Sequence, residues 1–173
     1  MNLFKRNTFR IDNTYLYRIK HRKKDTSEMT KDELIDFVKE SPYNLKQIEN
    51  QTLEICEAAV FKDPYAIRYV KEQTREMCLF AVSYHGYYLQ FIKNQTPEIC
   101  LAAVSNTGWA LEDVENKTLN ICIAAVNENP YAIQFVDNKN IFDICYKFIM
   151  LNTEIDINDI EKYCKKFIWD IKI

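Results

Sequence analysis

The side chains in this 173-residue sequence with chemistry to offer are six cysteines, two histidines and a scatter of acids. The cysteines fall at 56, 78, 100, 122, 145 and 164, and the first four are spaced by 22 residues. Elements stacked at that period sit about 8–10 Å apart, whereas a disulfide needs α-carbons within about 7 Å and a zinc site needs four ligands around one ion. The series therefore reads as reduced thiols filling a small apolar position in a core. His85 and Cys78 could pair on paper as base and nucleophile, but His85 stands where equivalent positions carry Asp, Thr or Asn. Glu112 and Asp113 are neighbouring acids in a polar stripe, the usual place for a solvated face rather than a general acid and base. Glycine occurs only at 86 and 108, so no glycine-rich loop can cradle a phosphate. No catalytic constellation emerges: the expectation is a protein that is not an enzyme and that uses no cofactor or metal.

What positions these residues is a repeat. TLEICEAAVFKDPYAIRYVKEQ at 52–73, TREMCLFAVSYHGYYLQFIKNQ at 74–95, TPEICLAAVSNTGWALEDVENK at 96–117 and TLNICIAAVNENPYAIQFVDNK at 118–139 are four copies of one 22-residue unit. The frame extends back over 30–51 and, with an insertion, forward over 140–163, giving six units with atypical ends, as stacked arrays have. Threonine at position 1 with an acid at position 3 is a helix start, and Thr30 with Glu33 has capping-box spacing. A second start lies at positions 12 and 13, read as Ser41-Pro42, Asp63-Pro64, His85-Gly86, Thr107-Gly108 and Asn129-Pro130. Proline inside one long helix would cost about 3 kcal/mol each time, and at the first turn of a new helix almost nothing. Each unit is therefore two short helices, A and B.

Helix A presents Ile55, Cys56, Ala59 and Val60 on one face, and its copies present Met77, Cys78, Ala81, Val82, then Ile99, Cys100, Ala103, Val104, then Ile121, Cys122, Ala125, Val126. Helix B adds Ile67 and Val70, Leu89 and Ile92, Leu111 and Val114, Ile133 and Val136. Helices of about nine residues do not persist alone, so stability must come from stacking. Aromatic residues recur at position 14 (Tyr43, Tyr65, Tyr87, Trp109, Tyr131) and at position 18 (Tyr69, Phe91, Phe135). Four apart on helix B, the two positions share a stripe. Either the rings pack between units, the usual fate of large aromatics, or part of the ladder is exposed as a protein-binding stripe. The candidate contacts are Tyr69, Phe91, Trp109, Asp113 and Phe135, with the position-17 residues Arg68, Gln90, Glu112 and Gln134 beside them.

A hydrophobic fraction of 47% with 28% charged residues is the balance of a folding, soluble chain. No run approaches a membrane span and the start has no signal-peptide core, so the expectation is a cytoplasmic protein with no membrane contact. Residues 1–25 carry eight Lys or Arg against two Asp, so the net charge of −2 hides a basic arm on an acidic body. The arm docks on its own body or, as the alternative function, binds nucleic acid through Arg18, Lys20, Arg22, Lys23 and Lys24.

The inner pattern T-x-E-I-C-x-A-A-V followed by N-P-Y-A-I-x-F-V resembles the short repeats grouped as domain of unknown function 4116, abundant in large DNA viruses of amoebae and in some bacteria. The resemblance implies a viral source, in host cytoplasm or virion, and carries no activity. The expected architecture is all-α: an α-solenoid of six helix-turn-helix repeats over 30–163, a basic arm or cap at 1–29 and a capping segment at 164–173. The expected role is a non-catalytic scaffold or adaptor that binds a protein partner, its oligomeric state open.

Overall fold

The computed structural model describes residues 25–163, and among these every regular element is a helix. A short 3-10 turn at Thr26–Glu28 leads into unit 1, and Thr26 Oγ1 donates to the Gln47 carbonyl at 3.1 Å, tying the entry segment to that unit. The α-helices are α1 (Lys31–Glu40), α2 (Leu53–Lys62), α3 (Arg75–Tyr84), α4 (Pro97–Asn106), α5 (Leu119–Glu128), α6 (Lys139–Asn152) and α7 (Ile157–Tyr163). Each of the first five is followed by a six-residue 3-10 helix: Pro42–Gln47, Pro64–Tyr69, Gly86–Phe91, Gly108–Asp113 and Pro130–Phe135. Helices of successive units stack side by side, and so do the 3-10 segments, which makes the array an α-solenoid.

The start signals act as their chemistry requires. Thr30 forms a complete capping box with Glu33, and Thr74 and Thr96 accept from the N–H groups of Met77 and Ile99, each at 3.3 Å. Thr52 and Thr118 cap by backbone alone. At the second start, the residue before Pro or Gly is extended, with φ between −142° and −154°. Asp63, His85 and Asn129 then accept from the N–H two residues on, at 3.0, 3.4 and 3.1 Å.

The second helix of each unit is a 3-10 helix and not the α-helix the spacing suggested. With six residues between two fixed ends, the i→i+3 bond is the one that closes: Ala66 N–H meets the Asp63 carbonyl at 2.9 Å, and Val70 N–H meets the Ile67 carbonyl at 3.2 Å. A three-residue period changes which side chains align. Positions 13, 16 and 19 point inward together, as Pro64, Ile67 and Val70 do, while positions 14 and 17 share the outer line. Unit 6 breaks the rule in the other direction. Without proline or glycine at its midpoint, α6 runs for 14 residues, and α7, rather than a 3-10 segment, returns against the array.

The core is one continuous cluster containing every helix-A and helix-B residue expected there, with Cys145 and Ile149 of α6 at 0% exposure continuing it. The joints between units differ. A Cβ on Gly86 would lie 2.4 Å from the Ala103 carbonyl oxygen, and one on Gly108 would lie 2.5 Å from that of Ala125. These glycines let the 3-10 segments of units 3 and 4 approach the next helix more closely than those opening with Pro42 or Pro64. Between α2 and α3 the helices are also the most loosely packed of the inner pairs. Phe80 stands there where other copies have alanine, and it meets Phe61 edge-on at 4.9 Å.

Candidate functional site

The aromatic ladder neither disappears into the core nor lies fully open. Tyr65, Tyr69, Tyr88, Phe91, Trp109, Tyr131 and Phe135 are half-buried, and Tyr43 and Tyr87 are exposed. The contact rule runs between units: the position-14 ring meets the position-18 ring of the next unit. Tyr43 lies 5.8 Å from Tyr69, Tyr65 lies 5.4 Å from Phe91 and Trp109 lies 5.6 Å from Phe135, centroid to centroid. The expected stripe of positions 14 and 18 within one unit is thus replaced by a relay from unit to unit. The physical reason is the 3-10 period, which eclipses positions 14 and 17 and turns position 18 toward the preceding neighbour.

Arg68 shows the consequence. Its guanidinium carbon sits 4.9 Å from the Tyr65 ring centroid, 5.2 Å from Tyr69 and 5.0 Å from Phe91, and Nη1 donates to the Tyr65 hydroxyl. A planar cation over three ring faces is held in place while its outer edge stays in water. Gln90 and Gln134 turn their amides back to the carbonyls of Tyr87 and Tyr131, at 2.9 and 3.0 Å. Glu112 is exposed and Asp113 is half-buried.

Asp113 interrupts the relay. It occupies position 18 of unit 4, where the pattern would set a ring against Tyr87, and Tyr87 lies instead beside His85 at 5.3 Å. Partial burial and the neighbouring Glu112 push its carboxyl above the usual carboxylate value, with Lys117 opposing them. The structure therefore groups Arg68, Tyr69 and Phe91 in one cluster across units 2 and 3. It groups Trp109 with Phe135 in another and leaves Glu112 and Asp113 between them. Arg18, Lys20, Arg22, Lys23 and Lys24 lie outside the described residues.

The C-terminal edge of the 3-10 segments holds a second ladder, of glutamines at position 22. Gln51 Nε2 donates to the Leu45 and Tyr69 carbonyls, both at 3.0 Å, and its Oε1 accepts from Lys71 N–H at 2.9 Å. Gln73 repeats this with Ile67, Phe91 and Lys93, and Gln95 with Asp113 and Glu115. Gln51 and Gln73 thus tie the open end of one 3-10 segment to that of the next, and Gln95 bonds the end of the next segment. Cys56, Cys78 and Cys100 point S–H groups at the same Gln oxygens, at 3.7, 4.0 and 3.7 Å. Burial pushes the thiols of Cys56, Cys78 and Cys122 up to about 11 and that of Cys145 to about 12, so at neutral pH they stay protonated. Clefts of about 560 and 250 Å³ open along this edge, both lined by Lys71 and Gln73, the larger reaching Cys56 and the smaller Cys78. Among the described residues no three His, Cys, Asp or Glu side chains gather as metal ligands would.

Sequence reasoning missed the glutamines, although Gln51, Gln73 and Gln95 stand at one position of the repeat and that recurrence was the signal. It also missed the outer face of the α-helices. There Phe61, Phe80 and Tyr84 are exposed by 48%, 40% and 68%, beside the partly buried Leu79 and Leu101. Apolar or aromatic residues at positions 6, 7, 10 and 11 of the units would have pointed to it.

No helix among the described residues is long and apolar enough to cross a membrane. No curated protein and no solved structure matches the chain. A family does: residues 74–119, which are units 3 and 4 with the opening of unit 5, match the model described as Domain of unknown function (DUF4116), and the repeat built from those units belongs to that family.

Proposed function

We propose that the chain is a non-catalytic repeat scaffold whose 3-10 face binds another protein, in a cytosolic setting. The single observation that supports this most is the aromatic relay. Tyr and Trp rings held half-buried by one another, with Arg68 fixed over three of them, give a rigid, partly apolar surface of the residue types that anchor interfaces. Their rotamers are already ordered, so a partner meets a surface whose entropy cost is small.

The test is affinity capture from the native cell with the full chain and with an Arg68→Ala, Gln90→Ala, Glu112→Ala variant. All three residues lie on the face and outside the core, so the melting temperature should stay within a few degrees of the parent. The expected result is a partner retained by the parent and lost by the variant. Equal retention by both would remove the 3-10 face from the account.

A further inference from the structure

Position 17 stands outermost on the 3-10 face once per unit, and its charges are ordered. Lys46 and Arg68 are cations in units 1 and 2, Gln90 is neutral in unit 3, Glu112, with Asp113 beside it, is the anion in unit 4, and Gln134 is neutral in unit 5. The ion pairs among the described residues are Lys31–Glu54, Arg75–Glu76, Arg75–Glu98 and Lys139–Asp143, none of which uses this row. Because one repeat separates Gln90 from Arg68 and one repeat separates it from Glu112, the row is antisymmetric in charge over units 2 to 4, while in the outer units Lys46 stands opposite the neutral Gln134.

A surface that is positive on one side of a point and negative at the same distance on the other is complementary to itself turned through 180°. That is the condition for an isologous two-fold contact, in which residue i meets residue j and j meets i. We propose that the 3-10 face pairs with a second copy of this chain, antiparallel, the two-fold axis passing by Gln90 and Arg68 of each copy meeting Glu112 and Asp113 of the other. The proposal rests on reading that face as the protein-binding surface and names its partner.

Three further observations converge on it. At the axis, Tyr87 is 37% exposed and meets no ring of the following unit, so a symmetry-related Tyr87 can cover it. Arg68 is held by its ring platform with its outer edge in water, which spares the entropy of ordering it on contact. Asp113 is partly desolvated without a cation bonded to its carboxylate, and a guanidinium from the second copy would supply one. Units stacked about 10 Å apart with a face about 12 Å wide give about 1,200 Å² of total buried surface over five units, the small end of specific interfaces. The pairing is therefore weak and sensitive to salt.

Sedimentation velocity of the full chain over a concentration series reads it directly. At low salt the parent should move from monomer to dimer with rising concentration, and added salt should shift it back. Arg68→Glu and Glu112→Arg should each raise the dissociation constant about tenfold or more, and the double exchange should restore it to within about threefold of the parent. Circular dichroism melts check folding, and Glu112→Arg alone keeps the test valid if Arg68→Glu unsettles the ring cluster. A parent monomeric at every concentration, single variants that dimerise as the parent does, or a double exchange as dissociated as the singles would each overturn the pairing. A monomeric parent whose capture is still lost in the triple alanine variant overturns the pairing alone and leaves the binding face standing.

Discussion

The joints that open with glycine and those that open with proline solve one problem in two ways. At units 3 and 4 the backbone of Gly86 and Gly108 lies against the next helix, and each glycine N–H, left over at the start of its 3-10 segment, is taken by position 11 of that helix. Gly86 donates to Asn106 Oδ1 at 2.9 Å, and Gly108 donates to Glu128 Oε2. At units 1 and 2, proline has no N–H to satisfy, and position 11 of the next helix is Lys62 or Tyr84. The residue types at 13 and at the following 11 are therefore coupled through one hydrogen bond. The proline joints stand slightly open, and the aromatic cluster around Arg68 lies over that region. The glycine joints are tight, and Asp113 lies there instead of a ring.

The sharpest way to break this contrast is Gly108→Ala. The added methyl meets a backbone oxygen at 2.5 Å, and neither side can yield without separating the units. The expected loss is about 2–3 kcal/mol in chemical denaturation, against about 1 kcal/mol for Pro64→Ala, whose cost comes mainly from the unfolded chain. Equal losses would dissolve the distinction.

Gln73→Ala comes next. It removes the acceptor of Lys93 N–H and a donor to the Ile67 and Phe91 carbonyls, at a cost of about 1–2 kcal/mol, and speeds hydrogen exchange at Lys93. Exchange at Lys93 unchanged from the parent would mean that water replaces the side chain without loss.

Asp113→Phe restores the relay at the tight joint and should stabilise by about 1 kcal/mol. The pH dependence separates ring from charge. A carboxyl whose value is raised by folding favours the native state when protonated, so the cost of ionising it appears as pH rises above 3.8 and is complete above its folded value. Asp113→Asn should therefore melt higher than the parent at pH 7 and lose that advantage below pH 3.8. A constant difference across pH would assign the effect to packing.

The smallest effect is kinetic. Thiol reagents should modify Cys56 and Cys78, at the looser joint between α2 and α3, sooner than Cys122, although burial holds all three at about 11. Mass spectrometry of time points gives the order.

Much of this was legible in the residues. The threonine caps, the mid-unit proline or glycine and the spacing of Ile, Cys, Ala and Val specified stacked helical units and nearly all of the buried set, because caps and apolar periodicity act locally. The aromatic positions were legible as a recurring feature, but their geometry was not. Positions 14 and 18 were expected to align within one helix, and Tyr65 instead meets Phe91 of the next unit while Arg68 lies over Tyr65. Whether six residues close as α or 3-10 depends on where the flanking helices hold their ends.

By itself the sequence determined the period, the two breaks in each unit, the inward-facing residues and the order of charges along position 17, since all of these are set by residue type and local backbone preference. Only the tertiary structure decided which rings touch, how near each pair of units comes and which carbonyls the glutamines close. Those depend on the distance and rotation between neighbouring units, which packing fixes over the whole array and which no single unit can specify alone.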